Sequence, residues 1–247
     1  MQNQSNNSSG TPLLIIGAVF LIVLIVGWFV YSSSKSKPNP GANTAANTGQ
    51  TNNAANNYAN ASPGAQPAHI LGSQSALVTV EEFADFQCPT CAVKHPDFKQ
   101  IASIYNNRIK FIFRNFPLTN THPKAYDAAV AAEAAGLQGK FWEMQNMLFT
   151  KQPEWSASTD HRKLFSDYAR EIGIDPAKFE TDSLGIPAKK RVDDDLARAR
   201  SLQVSSTPSL YINGIPVPFN QMTVDGMRQI IDAELQKTAV QSPPSGN

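Results

Sequence analysis

The chain has 247 residues and a formal net charge of +1, which offers no electrostatic basis for binding nucleic acid or for adsorbing wholesale to anionic lipid. Its 41% hydrophobic content is ordinary but unevenly spread, and its 2 cysteines leave no structural disulfide beside a single reactive pair. One folded domain of about 170 residues is expected, large enough to bury a core.

Residues 1–11 form a short polar tail. Residues 12–31 carry no charge, and from Leu13 to Tyr31 the run is long enough to cross a ~30 Å hydrocarbon core as one helix. Trp28 and Tyr31 near its end suit an interfacial aromatic belt. A cleaved signal peptide is the rival reading; it fits less well, because the run exceeds the ~7–15 residues of an h-region and no basic segment precedes it. A single-pass anchor with the domain outside the cytoplasm is expected. Lys35 and Lys37 just after the span pull the other way under the positive-inside rule, although long C-terminal domains translocate largely regardless of flanking charge.

Residues 32–67 are dominated by Asn, Ala, Thr, Ser, Gly and Pro, and no Lys, Arg, Asp or Glu occurs between Pro38 and Val80. Such a segment has too little apolar surface to offset its ordering entropy, so a flexible tether of roughly 30–35 Å r.m.s. reach is expected. The folded domain is expected over 68–238 and a disordered tail over 239–247.

Within that domain, Ala76–Phe83 reads as a strand rich in β-branched residues. A helix follows from Pro89 to about Tyr105 with Pro96 inside it, then a strand over Lys110–Phe116. A helical block comes next. Tyr126, Ala129, Val130 and Ala134 recur at helical spacing, as do Phe165, Tyr168, Ala169 and Ile172, and then Val192, Leu196 and Ala199. Phe141, Trp142 and Met144 read as core of this block. Two short strands flank the Asn213-Gly214 turn, and a last helix starts near Thr223 with Val224, Met227 and Ile231 inward.

Both cysteines lie in Cys88-Pro89-Thr90-Cys91, between a strand and a helix. A thiol at a helix N-terminus faces unpaired amides and the positive end of the dipole, which favours its thiolate. Cys88 is therefore the expected exposed nucleophile, and Cys91, one turn along and more buried, is expected to resolve the mixed disulfide. Zinc needs about four ligands. Only His95 falls near the pair, so no metal site is expected.

The stretch from His69 to Cys91 resembles the start of the DsbA-like thioredoxin family. So do Phe113-Arg-Asn-Phe-Pro-Leu118, the Ala-rich helix with Gly139-Lys-Phe-Trp142 after it, and Ser206-Thr-Pro-Ser-Leu-Tyr-Ile-Asn-Gly214. The resemblance implies an α/β thioredoxin fold with an inserted helical subdomain at about 119–204. It places Glu82, six positions before Cys88, where the family carries a buried acidic residue able to relay the proton of Cys91. Its neighbour Glu81 leaves the choice of face open. It makes Pro208 the cis-proline facing the active site, and Thr207 a backbone partner for an extended substrate. Pro89 and Thr90 are expected to tune the redox couple; Thr90 stands where strongly oxidising relatives carry histidine, so a less depressed Cys88 pKa and a less oxidising couple are expected. His122 resembles a family histidine without an assigned chemistry.

The reading is an extracytoplasmic thiol–disulfide oxidoreductase acting on secreted or membrane proteins. It needs no cofactor, and the resemblance implies a DsbB- or VKOR-type membrane partner. A reductase or isomerase of the same fold stays open, as does a tethered copper-delivery module using the thiols as soft ligands.

Overall fold

The computed structural model describes residues 53–241, with side chains to Ala239. The expected tail 1–11, apolar span 12–31, linker residues 32–52 and residues 242–247 lie outside the described residues. Among the described residues no helix is long and apolar enough to cross a membrane.

Five strands form one sheet in the order β1-β3-β2-β4-β5. The β-branched run expected before the cysteines becomes its central strand, β2 (Val78–Ala84). β2 runs parallel to β3 (Ile109–Asn115), and the crossover between them is α1 (Pro89–Tyr105), with Pro96 inside it. On its other side β2 pairs antiparallel with β4 (Ser209–Ile212), which turns into the short β5 (Ile215–Pro216). The turn needs positive φ at both central residues, and Asn213 (49°) and Gly214 (78°) supply it. β1 (His69–Gly72) pairs antiparallel with the far edge of β3. Four residues without clear alternation gave no strand signal in the sequence.

Period-2 geometry splits β2 between two layers. Val78 and Val80 pack with Phe98 and Ile101 of α1 and with Met227 and Ile231 of α8 (Val224–Gln241). Phe83 points to the opposite face and packs with Phe116, Ala199 and Val204. Between β3 and β4 lie six helices: α2 (Ala125–Gly136), α3 (Phe141–Thr150), α4 (Gln152–Ala157), α5 (His161–Glu171), α6 (Pro176–Leu184) and α7 (Ile186–Ser201). Six fully buried alanines of α2 let the neighbouring helices approach it closely. Asp160 caps α5 and Asp175 caps α6 by accepting first-turn amides. Phe141 and Met144 are buried in this subdomain, and Trp142 is half-buried between it and the sheet core.

Two expected boundaries need correction. Residues 53–67 are not a loose tether: 53–59 are helical, and the chain after them is fastened to the domain. Arg114 donates to the carbonyls of Ala65 (2.9 Å) and Pro63 (3.0 Å), and Arg198 to that of Ser62 (2.7 Å). Asp195 accepts the Ala65 amide at 2.9 Å. Tyr58 packs against Tyr211 with ring centroids 5.9 Å apart, and the Arg198 guanidinium lies over its ring. A Cβ on Gly214 would come within 2.8 Å of Tyr58. The composition argument fails here because it counts apolar side chains, whereas this segment is held mainly through its backbone. At the other end α8 runs to Gln241, past the expected boundary at 238, since the first helix-breaking proline is Pro243.

The same arginines make a buried ionic network. Glu81 accepts from Arg114 Nε (2.7 Å) and from Arg198 Nε and Nη2 (2.8 Å each), and Arg114 also reaches Asp195 at 3.0 Å. Beside it, Glu133 is bound by His69, Arg191 and Asn115. Losing one member of a buried charge network costs about 3–5 kcal/mol, because the partners stay buried without compensation. Arg114→Met should therefore lower stability by about 3–5 kcal/mol in urea titration. A loss below about 1 kcal/mol would show that solvent or Arg198 takes over its role.

Candidate active site

The site sits at the C-terminal end of β2, where Asp85-Phe86-Gln87-Cys88 turns into α1. Cys88 is the N-cap residue in an extended conformation, and Pro89 at the helix start gives up an amide that would have no intrahelical partner. The Asp85 carboxylate braces the turn. It accepts the Gln87 amide (2.7 Å), the Leu118 amide (2.8 Å) and His122 Nδ1 (2.7 Å), while its backbone carbonyl accepts the Cys88 amide (3.1 Å). His122 is thus a fastener of the active-site turn.

Cys88 and Cys91 are free thiols, 7% and 0% exposed, so the expectation of an exposed Cys88 is corrected: the cis-proline loop lies against its sulfur, and only a small part of the residue reaches solvent. The Cys88 thiol is pushed down to about 5. The largest cause is a hydrogen bond from the Cys91 thiol; burial opposes it, and the Thr207 side chain and the amides of Cys91 and Thr90 add to it. As a thiol, Cys88 Sγ donates to the Thr207 carbonyl at 3.5 Å. Thr207 Oγ1, buried and otherwise without a hydrogen-bond partner, can donate to the sulfur once it is ionised. The Cys91 thiol is pushed well above its ordinary range by burial, then by its hydrogen bond to Cys88 and the Cys88 charge, with Glu82 adding further.

Thr207–Pro208 is a cis peptide, and Pro208 is buried beside the thiol contact of Thr207. A second cis bond, Gln66–Pro67, lies in the lead-in segment. Pro89 and Thr90 are exposed, and Thr90 acts on Cys88 through its amide. Neighbouring amides and the second thiol lower the pKa without a histidine at that position.

Glu81 and Glu82 are both buried, on opposite faces of β2. Glu81 belongs to the ionic network. Glu82 is 1% exposed, its Oε1 has no hydrogen-bond partner, and burial raises its pKa to about 8. It lies within electrostatic reach of Cys91. His95 is 4% exposed and turns its Nε2 to Asn146 at 3.2 Å, with burial the main cause of a pKa near 4.

Residues 65–233 match the family profile described as Thioredoxin. The crystal structure of oxidised BdbD from Bacillus subtilis shares 27% identity at a TM-score of 0.62, covering 71% of this chain and 98% of that one. That of alpha-DsbA1 from Wolbachia pipientis shares 19% identity at a TM-score of 0.61, covering 71% and 94%. The Na(+)/H(+) antiporter NhaA 1 of Mycolicibacterium gilvum is 36% identical over 148 residues, which are 59% of this chain and 23% of that protein. The chain spans less than a third of the length of the curated relatives it matches.

Two measurements check these electrostatics. Thiolate absorbance of a Cys91→Ser variant keeps a hydroxyl donor, and should titrate well below the ordinary thiol value of 9.0, near that of Cys88 in the wild type at about 5. A midpoint above 8 in both proteins would remove the proposed thiolate stabilisation. For Glu82, a carboxyl raised from 4.5 to about 8 is protonated when folded and ionised when unfolded across that window. Its contribution to stability is present below the unfolded pKa and is lost as pH rises towards the folded one. The stability of Glu82→Gln relative to wild type should thus climb by up to about 1.4 kcal/mol per pH unit over this window. A difference independent of pH would mean that Glu82 is ionised in the fold.

Proposed function

The chain belongs to the thioredoxin family, in its DsbA-like group of thiol–disulfide oxidoreductases, and from that premise we propose that it introduces disulfides into secreted or membrane proteins outside the cytoplasm. The observation that carries the direction is the donor set around Cys88 at the start of α1, namely the Cys91 thiol, Thr207 Oγ1 and the amides of Thr90 and Cys91, which pushes its thiol down to about 5. Stabilising that thiolate stabilises the reduced enzyme, which makes its disulfide a better oxidant.

In the proposed cycle a client thiolate attacks Cys88 Sγ of the Cys88–Cys91 disulfide. The Sγ–Sγ bond breaks, a mixed disulfide forms on Cys88, and Cys91 leaves as a thiolate that is protonated at once. Glu82 is the buried acid in reach of that sulfur and, protonated at neutral pH, has the proton to give. A second client thiolate then attacks the client sulfur and releases Cys88 as a thiolate. The client loses two electrons and gains a disulfide; the enzyme holds the two electrons on its sulfurs until a membrane partner of the DsbB or VKOR type removes them. Thr207 would present its backbone to an extended client.

The extracytoplasmic placement and the anchor rest on the apolar run 12–31 and on the need of a disulfide donor for an oxidising compartment. External protease on spheroplasts should remove the domain while sparing cytoplasmic controls, and full protection would overturn the topology. Cys91→Ala, incubated with a disulfide-containing client, should accumulate mixed disulfides through Cys88, because the intramolecular resolving step is gone. Cys88→Ala should trap little, since Cys91 is fully buried and its thiol stays protonated. Equal trapping on non-reducing gels would reverse the assignment of nucleophile and resolver. A soft-metal carrier would show no preference between the two variants.

A further inference from the structure

The turn that presents Cys88 is fastened less by the sheet than by the helical subdomain. Asp85 is tied to Leu118 and His122, and the side-chain carbonyl of Gln87 accepts the Lys124 amide at 2.8 Å. The third tie is Gln152, the first residue of α4 and 7% exposed. Its Nε2 donates to the carbonyl of Phe86 at 2.6 Å and to that of Cys88 at 2.9 Å. α4 is itself anchored. Lys124 Nζ donates to the carbonyls of Ser156 and Ser158 at 2.6 Å each, and the fully buried Trp155 donates to the Leu148 carbonyl at 2.7 Å.

The Cys88 carbonyl is a sensitive place to hold. It already accepts the Ala92 amide at 3.2 Å, closing the first turn of α1. The orientation of that peptide sets where the following amides of Thr90 and Cys91 point, and both of these favour the Cys88 thiolate. We propose that Gln152 is a positioning residue for the nucleophile, its amide holding the Phe86 and Cys88 carbonyls so that the first-turn amides of α1 aim at Cys88 Sγ. This rests on Cys88 being the attacking thiolate. The helical subdomain then sets the reactivity of the centre through one side chain 64 residues away in sequence. A purely structural role is the competing account, since a buried amide that satisfies two turn carbonyls stabilises a fold whatever the chemistry nearby.

The two accounts differ in the pH profile of exchange. Gln152→Met keeps the length and removes the donor. With the amides less well aimed, the Cys88 pKa should rise by about one unit, read by thiolate absorbance. Below both pKa values the thiolate fraction then falls about tenfold, while the more basic thiolate is about threefold more nucleophilic at a Brønsted slope of 0.4–0.5. Exchange with a small disulfide should be about threefold slower at pH 4 and about threefold faster at pH 8, so the two profiles cross. If Gln152→Met does not fold, Gln152→Asn, too short to reach both carbonyls, should cross with smaller amplitude. Trp155→Phe on the same helix, which loses a buried hydrogen bond without touching the turn, should lower stability and leave the profile's shape unchanged. Parallel or superimposed profiles for the Gln152 variants, with wild type still exchanging through a thiolate, would overturn the positioning role and leave the proposed function standing. A wild type that forms no thiolate below neutral pH would overturn both.

Discussion

One carboxylate on the central strand organises the rest of the molecule. Glu81 is fully buried, and burial opposes its ionisation; the Arg198 hydrogen bonds and then the charges of Arg114 and Arg198 outweigh that and hold its pKa below the ordinary range. The two arginines come from β3 and α7, and each also grips the carbonyls of the lead-in segment. Asp195 joins α7 to the other end of Arg114 and accepts the amides of Ala65 and Asn115. Sheet, helical subdomain and lead-in are thus joined through the same two guanidiniums. Such a network need not be more stabilising than apolar packing. Its geometry nonetheless penalises arrangements that separate these partners, since those leave charge buried and unpaired.

What could be read in the sequence was local. The Cys-x-x-Cys pair with proline at the helix start, the Asn213-Gly214 turn, the β-branched run of β2 and the Thr223 cap each rest on residues a few positions apart, and each is found where expected. The ionic network was not legible, because its members are separated by 33, 81 and 117 residues. The lead-in segment was misread for the same reason: its order comes from partners elsewhere in the chain. Gln152 carried no signal at all, since one glutamine at the start of a six-residue helix looks like any polar surface residue.

The two neighbouring glutamates show the limit of pattern and the need for environment. Alternation says that Glu81 and Glu82 face opposite ways, but not which face is dry. In the fold neither face is wet, and what separates them is their partners. Glu81 meets two guanidiniums, while Glu82, on the face of the α1 layer, has an Oε1 without a hydrogen-bond partner and reaches Cys91 only through its charge. The same residue type one step along a strand is therefore an anion on one face and a neutral acid on the other.

That neutrality bears on the cysteines. A second anion beneath the sulfurs would raise both thiol pKa values by repulsion and would work against the thiolate that makes Cys88 reactive. An unpartnered carboxyl in an apolar layer avoids this. In the proposed cycle it would hold its proton until a thiolate forms on Cys91, and the ordering of Cys88 near 5, Glu82 near 8 and Cys91 above both suits that sequence of transfers. The environment achieves this by contrast. Donors from Cys91, Thr207 and Thr90 surround the Cys88 sulfur, Glu82 Oε1 has no hydrogen-bond partner, and Cys91 is closed off from water altogether. The two faces of β2 thus differ in their partners: Arg114 and Arg198 are committed to Glu81 and Asp195, whereas among the described residues no ion pair reaches Glu82, whose pKa is raised by burial alone.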